Sequence, residues 1–200
     1  MSISKTARRR PRADRVSEAA SILPLTVSHP PLLKGGSDKN FRSLVHDLLT
    51  ISTRMELVRE YLGSHIGVSG PQYSVLVAIA HLQGGSGTSV SAVAEALHVS
   101  SAFVASETGK LARRRLVDKR SSTDDRRVVL LSISAAGRTT LGRIGTQIRT
   151  INDLFFGALD AKAFTALGTS VASLVTSSRQ AIQFINSGGR DPQIALEAAE

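Results

Sequence analysis

From Asn40 onward, Leu44, Leu48, Ile51, Met55, Val58 and Leu62 recur at three- and four-residue steps. That period predicts a long amphipathic helix closing near Gly63. Ser69-Gly70-Pro71 opens a second helix, because proline is tolerated in a first turn. Its burial candidates are Tyr73, Leu76, Val77, Ile79 and Ala80. Gly84, Gly85, Ser86 and Gly87 then mark a loop over 83–88. Between Ser89 and Leu97 the apolar positions Val90, Val93, Ala94 and Leu97 return to helical spacing, and His98-Val99-Ser100 interrupts them. Ser100 or Ser101 can N-cap the next helix, Ala102 to Arg114, whose narrow stripe is Val104, Thr108 and Leu111. Val117 to Arg120 and Val128 to Ile133 have strand character around a polar tip, Asp124-Asp125-Arg126-Arg127. Ser134 to Gly137 lead into one long helical region reaching about Leu159, with Leu141, Ile144, Ile148, Ile151, Leu154 and Phe155 in its stripe. A break over 158–162 precedes a last helix carrying Phe164, Leu167, Val171, Leu174, Val175, Ile182 and Ile185.

Two short helices joined by a tight turn and followed by a charged hairpin form the pattern of a winged helix-turn-helix. The expected fold is therefore mainly α, with a short β-hairpin wing and long helices on either side. Residues 1–38 read as a disordered basic arm, 39–187 as the folded domain and 188–200 as a flexible tail. Within the domain, about 69–134 is the DNA-binding lobe, and about 40–64 and 135–187 are dimerisation helices. The flanking helices carry more apolar stripe than one small winged domain can cover. A homodimer with interleaved terminal helices buries it, in preference to a monomeric bundle.

Charge sharpens this picture. The formal net charge is +9, and it sits in two blocks. Residues 1–40 and residues 110–127 each hold eight Lys/Arg against three acids, so the rest of the chain is close to neutral. A basic block inside a folded segment favours a polyanionic partner through counterion release from phosphates; a solvated basic face is the plain alternative. The absence of cysteine excludes disulfides, thiolate metal sites and a cysteine-based peroxide sensor, and fits a reducing compartment; with a DNA partner, the expected location is cytoplasmic and nucleoid-associated. No apolar run approaches the roughly 20 residues that span a bilayer. Met1 to Arg12 superficially resembles a transit peptide, but Asp14, Glu18, Pro24, Pro30 and Pro31 argue for an arm instead. No nucleophile–base set stands out, and Gly84-Gly85-Ser86-Gly87 lacks the lysine of a phosphate loop. His65, His81 and His98 have no metal-ligand spacing and read as structural. Neither an enzyme nor a cofactor is expected.

With Val104, Thr108 and Leu111 turned inward, Ser101, Ala102, Ala105, Ser106 and Gly109 share the opposite face of their helix. Such small residues let a helix sit deep in a major groove, and the hydroxyls of Ser100, Ser101 and Ser106 can reach base edges or phosphates. That face has no central Arg or Asn for bidentate base reading. Lys110, Arg113 and Arg114 are placed to clamp phosphates.

Over roughly residues 40–187 the sequence resembles the MarR (multiple-antibiotic-resistance regulator) family of transcriptional regulators. The resemblance rests on Val93-Ala94-Glu95-Ala96-Leu97, on the run from Leu111 to Val117, and on Asp124 to Ser134 followed by Gly137. It implies a homodimeric, ligand-responsive repressor on a palindromic operator in double-stranded DNA; an activator or an architectural DNA binder without effector control is the competing reading. It also implies that Arg126 or Arg127 enters the minor groove, with Asp124 or Asp125 orienting it. It further implies an effector cleft between the dimer helices and the DNA-binding lobe, for which Arg42, His46, Arg54 and Tyr73 are the candidate polar groups and an aromatic acid or acyl thioester the candidate ligand. One departure stands out: many family members have Gly where this chain has Arg115, just before the first wing strand.

Overall fold

A computed structural model describes residues 24–123 and 125–189. Most of the predicted arm, Asp124 at the wing tip and the tail from residue 190 lie outside the described residues. The chain divides into two units, residues 1–46 and 47–200.

In the first unit, residues 24–38 hold defined local structure where composition predicts only an arm. A short 3-10 turn, Pro30–Leu32, leads to a Lys34–Ser37 bridge. Asp38 follows and is buried; its carboxylate accepts from the Thr26 N–H at 2.8 Å and the Thr26 hydroxyl at 2.7 Å. Arg42, one turn into helix α1 (Lys39–His65), completes the cluster at 3.0 Å. The Thr26 hydroxyl and amide, with help from Arg42, hold the Asp38 carboxyl below its ordinary value. The end of the arm is thus fastened by a satisfied buried charge.

In the second unit the predicted order of elements appears with three refinements. Helix α2 (Gly70–Leu82) starts with a reciprocal cap, the Ser69 hydroxyl accepting from the Gln72 N–H and the Gln72 amide accepting from the Ser69 N–H. Strand β1 (Thr88–Ser89) precedes helix α3 (Val90–Leu97), helix α4 (Ser101–Arg113), and strands β2 (Val117–Ser121) and β3 (Val129–Ile133). The sheet is antiparallel in the order β1-β3-β2, with Thr88 opposite Leu131 and Lys119 opposite the same residue on the other side. The wing is therefore three-stranded rather than a bare hairpin. Two residues are too few to leave an alternation in sequence, so β1 could not be read there.

The second refinement concerns the region after the wing, which is two helices and not one: α5 (Ala135–Arg143) and α6 (Gly145–Phe156). They part at Ile144, where ψ is 7°. Gly142 and Gly145 weaken the helix on both sides of this residue, and its side chain turns into the core, only 3% exposed. The third is α2 itself, where Val75 is buried and Val77 is exposed, the reverse of the pattern's emphasis.

The core lies under the helix-turn-helix and sheet. Leu76 and Ile79 of α2, Val93 of α3, Val104 and Leu111 of α4, and Leu131 of β3 are fully enclosed. Each such aliphatic side chain stabilises the lobe by about 1.5–3 kcal/mol. Helix α7 (Ala161–Asn186) is the opposite case, with no buried residue along its length. Among the described residues, no helix is long and apolar enough to cross a membrane.

Candidate DNA-reading surface

Helix α4 is set by its first and last turns. Ser100, not Ser101, is the N-cap, its hydroxyl accepting from the Phe103 N–H at 3.1 Å. Val104, Thr108 and Leu111 point inward as the spacing predicts, and the Thr108 hydroxyl is satisfied by the Val104 carbonyl at 2.8 Å. Ser101, Ala102, Ala105 and Ser106 are exposed on the other side. Gly109 is half-buried, and a Cβ there would still meet open space. The predicted small-residue face therefore exists as one solvent-facing strip.

The basic residues sort differently from expectation. Lys110 is tied to Glu107, Nζ to Oε1, at 2.5 Å. Glu107 is a buried carboxylate that periodicity did not single out, because a charged residue on the inner face breaks the apolar pattern. Lys110, and then Gln72 from α2, draw its pKa down against the opposing effect of burial. Arg113 is exposed. Arg114, expected to clamp phosphate, spends its guanidinium on the carbonyls of Gly67 and Ile66, in the turn between α1 and α2. It holds the C-terminal end of α4 in place, a role that a sequence without long-range contacts cannot reveal.

Arg115 adopts a left-handed backbone, φ +57°. The helix ends in a Schellman turn, with the Leu116 N–H donating to the Leu111 carbonyl at 3.0 Å and the Arg115 N–H to Ala112 at 2.8 Å. The wing thus leaves α4 along the path a glycine would give, and arginine accepts the strain that glycine avoids. Ser134 secures the other end of the wing by donating its hydroxyl to the Arg115 carbonyl at 2.6 Å and accepting the Gly137 N–H at 2.9 Å. A Cβ on Gly137 would collide with the Leu116 carbonyl oxygen, so α5 can begin against the wing only without a side chain there.

At the wing tip, Arg126 and Arg127 are exposed. Asp125 braces the backbone: its Oδ1 accepts the Arg127 N–H and its carbonyl the Val128 N–H, both at 2.9 Å. The Asx turn fixes how the tip is presented. On β2, Arg120 reaches back to the Ser86 carbonyl in the loop before β1. The surface therefore offers two features side by side in sequence order, a flat strip on α4 and a cationic loop held by its own turn.

Residues 66–128, which span the helix-turn-helix and most of the wing, match the MarR family. Over this third of its length the chain is similar to the MarR family. MarR-type architecture extends well beyond the matched segment. AbsC, a MarR family transcriptional regulator from Streptomyces coelicolor, is 16% identical, with 70% of this chain and 95% of that chain covered at a TM-score of 0.62. The S. aureus MepR–DNA complex is 14% identical over 66% of this chain and 96% of that one, TM-score 0.57. Bordetella bronchiseptica BpsR, whose DNA binding is regulated by 6-hydroxynicotinic acid, is 21% identical over 66% and 98%, TM-score 0.51. No curated protein matches the chain.

Of the four polar groups proposed for an effector, Arg42 and His46 lie in the first unit and Arg54 and Tyr73 in the second. Arg42 is engaged by Asp38 in the first unit, and His46 there is exposed. Arg54 is exposed, while Tyr73 packs into the core beside Leu76, where burial pushes its phenol pKa up. The second unit instead holds a cleft of about 480 Å³ walled by other residues, among them Glu56, Leu57 and Glu60 of α1, Pro71 of α2, and Val99 and Phe103 around the start of α4. Helical spacing could not find it, because its walls come from four different helices.

Proposed function

We propose that this protein is a MarR-type transcriptional regulator acting as a homodimeric repressor, that it binds a palindromic operator through α4 and the wing, and that a small molecule in the cleft governs its affinity. The strip of Ser101, Ala102, Ala105 and Ser106, exposed on a helix of the MarR-matched segment, carries the reading. Ser100, Ser101 and Ser106 offer hydroxyls, Gly109 keeps the approach open, and Lys110 and Arg113 supply charge for the phosphates. Arg126 or Arg127 enters the adjacent minor groove, where narrow A·T-rich DNA concentrates negative potential. Specificity leans on wing, backbone and DNA shape, because the α4 strip has no side chain for bidentate base reading.

The exposed apolar stripe of α7 supports dimerisation. Leu167, Val171, Leu174, Val175, Ile182 and Ile185 are all at least 40% exposed. A second copy is the partner that a two-half-site operator calls for. The regulation of BpsR by a small molecule supports an effector for this chain as well. Its place of action is the cytoplasmic nucleoid.

Sequencing the genomic fragments that the purified protein retains identifies the operator. Fluorescence anisotropy at one fixed salt concentration then compares that operator with a random duplex. The expected ratio is about 10³ or more. A ratio near one favours an architectural binder, and a reporter that falls on deleting the gene favours an activator.

A further inference from the structure

The cleft beside α4 has a charge character opposite to that of the protein as a whole. Its ionisable wall residues are Glu56, Glu60 and Arg59, so carboxylates outnumber cations two to one in a chain of net charge +9. Arg59 already faces Glu56 at 3.8 Å. The backbone donors of the cleft-lining residues at the helix starts are also engaged. Gly70 donates its N–H to Glu60 Oε2 at 2.7 Å, Pro71 has none, and Tyr73 donates to the Ser69 carbonyl at 2.8 Å. On α4, the Phe103 N–H belongs to Ser100. What remains for a ligand is an apolar lining with an aromatic ring, Phe103, and a wall whose net charge is negative.

We propose that this cleft takes a small organic cation, an ammonium- or phosphonium-type charge on an apolar body, and not an aromatic acid. The body fills the space against Leu57, Val99 and Phe103, and the charge lies toward Glu56 and Glu60, with the Phe103 ring available for a cation–π contact. An acid entering the same space meets two carboxylates and no free amide on the cleft-lining residues Gly70 and Phe103. This deepens the proposed effector site and rests on that reading.

Tetraphenylphosphonium and tetraphenylborate have nearly the same size and shape and opposite charge, so they isolate the effect of sign. Isothermal titration of the full-length protein with each is expected to favour the cation by about tenfold or more. The preference should shrink in Glu56→Gln and in Glu60→Gln, the latter keeping an acceptor for the Gly70 N–H. Leu57→Trp, which fills the cleft from an exposed position, should abolish cation binding. The long-range field of a +9 protein pulls the other way, so a cation preference must arise locally. Tetraphenylborate binding as tightly as the cation, or cation binding that survives Leu57→Trp, overturns the proposal. Binding of neither ion overturns it too. Anisotropy on the operator, run alongside, separates these failures. An anion that binds and shifts operator affinity leaves the effector cleft standing and removes only the cation, whereas an operator indistinguishable from random DNA removes the regulator reading itself.

Discussion

The winged lobe and helix α7 are built from similar proportions of apolar residues and end in opposite states. In the lobe, Val93, Val104, Leu111 and Leu131 are sealed, the buried Thr108 and Glu107 have partners, and among the described residues no buried side-chain polar atom lacks one. Along α7, Phe164 is 62% exposed and Ile185 is 65% exposed, and an exposed ion pair between Arg179 and Glu95 at 3.8 Å links the helix to α3. Such a pair contributes at most about 1 kcal/mol. The lobe is complete within one chain, while α7 has the pattern of a helix completed by another.

The largest test of that contrast is in the lobe. Leu111→Ala should lower its stability by about 2–5 kcal/mol, read as a fall in the urea midpoint at every protein concentration. Leu167→Glu with Leu174→Glu on α7 should act differently, shifting sedimentation from dimer toward monomer and removing the concentration dependence of Tm. Equal effects of both on a dilute sample would erase the distinction between the regions. Next in size, Arg126→Ala with Arg127→Ala should weaken operator binding by about 10- to 100-fold and flatten its salt dependence, with thermal melting unchanged. Unchanged affinity would remove the wing from the reading surface.

Two smaller effects probe the joints of the lobe. Arg115→Gly relieves a left-handed arginine and should stabilise by about 1 kcal/mol or less, since glycine also adds freedom to the unfolded chain. Glu107 supplies a pH dependence. Its folded pKa lies below the ordinary value of 4.5, so its contribution is present above that value and fades as pH falls through the lower folded pKa. Lys110→Ala removes the leading cause of that depression and should flatten acid-melting curves below about pH 4.5.

Helical spacing in the sequence was enough to place α1 to α4 and α7, because each repeats its apolar step over two turns or more. Wing strands β2 and β3 were legible as two runs of strand character around a charged tip. Long-range polar contacts were not: the pairing of Arg114 with the 66–67 turn, of Arg42 with Asp38, and of Glu107 with Lys110 depends on which surfaces meet. Arg115 shows the boundary between the two kinds of information. Its identity announced a conflict with a left-handed cap, and only the backbone shows that the cap is kept. The cleft was hidden for a related reason, since Glu56 and Glu60 on their own look like an ordinary solvated helix face.

The turn at Asp125 has a consequence for how the wing is studied. Its grip is on the Arg127 amide, a neutral donor inside the same loop, so dissolved ions have little leverage over that bond. The attraction of Arg126 and Arg127 for a polyphosphate, in contrast, is ionic and fades with added salt. Shape and attraction at the tip are thus carried by separate bonds. A salt titration of operator binding can then serve as a counter of ionic contacts, uncontaminated by a loop that changes form as the counting proceeds.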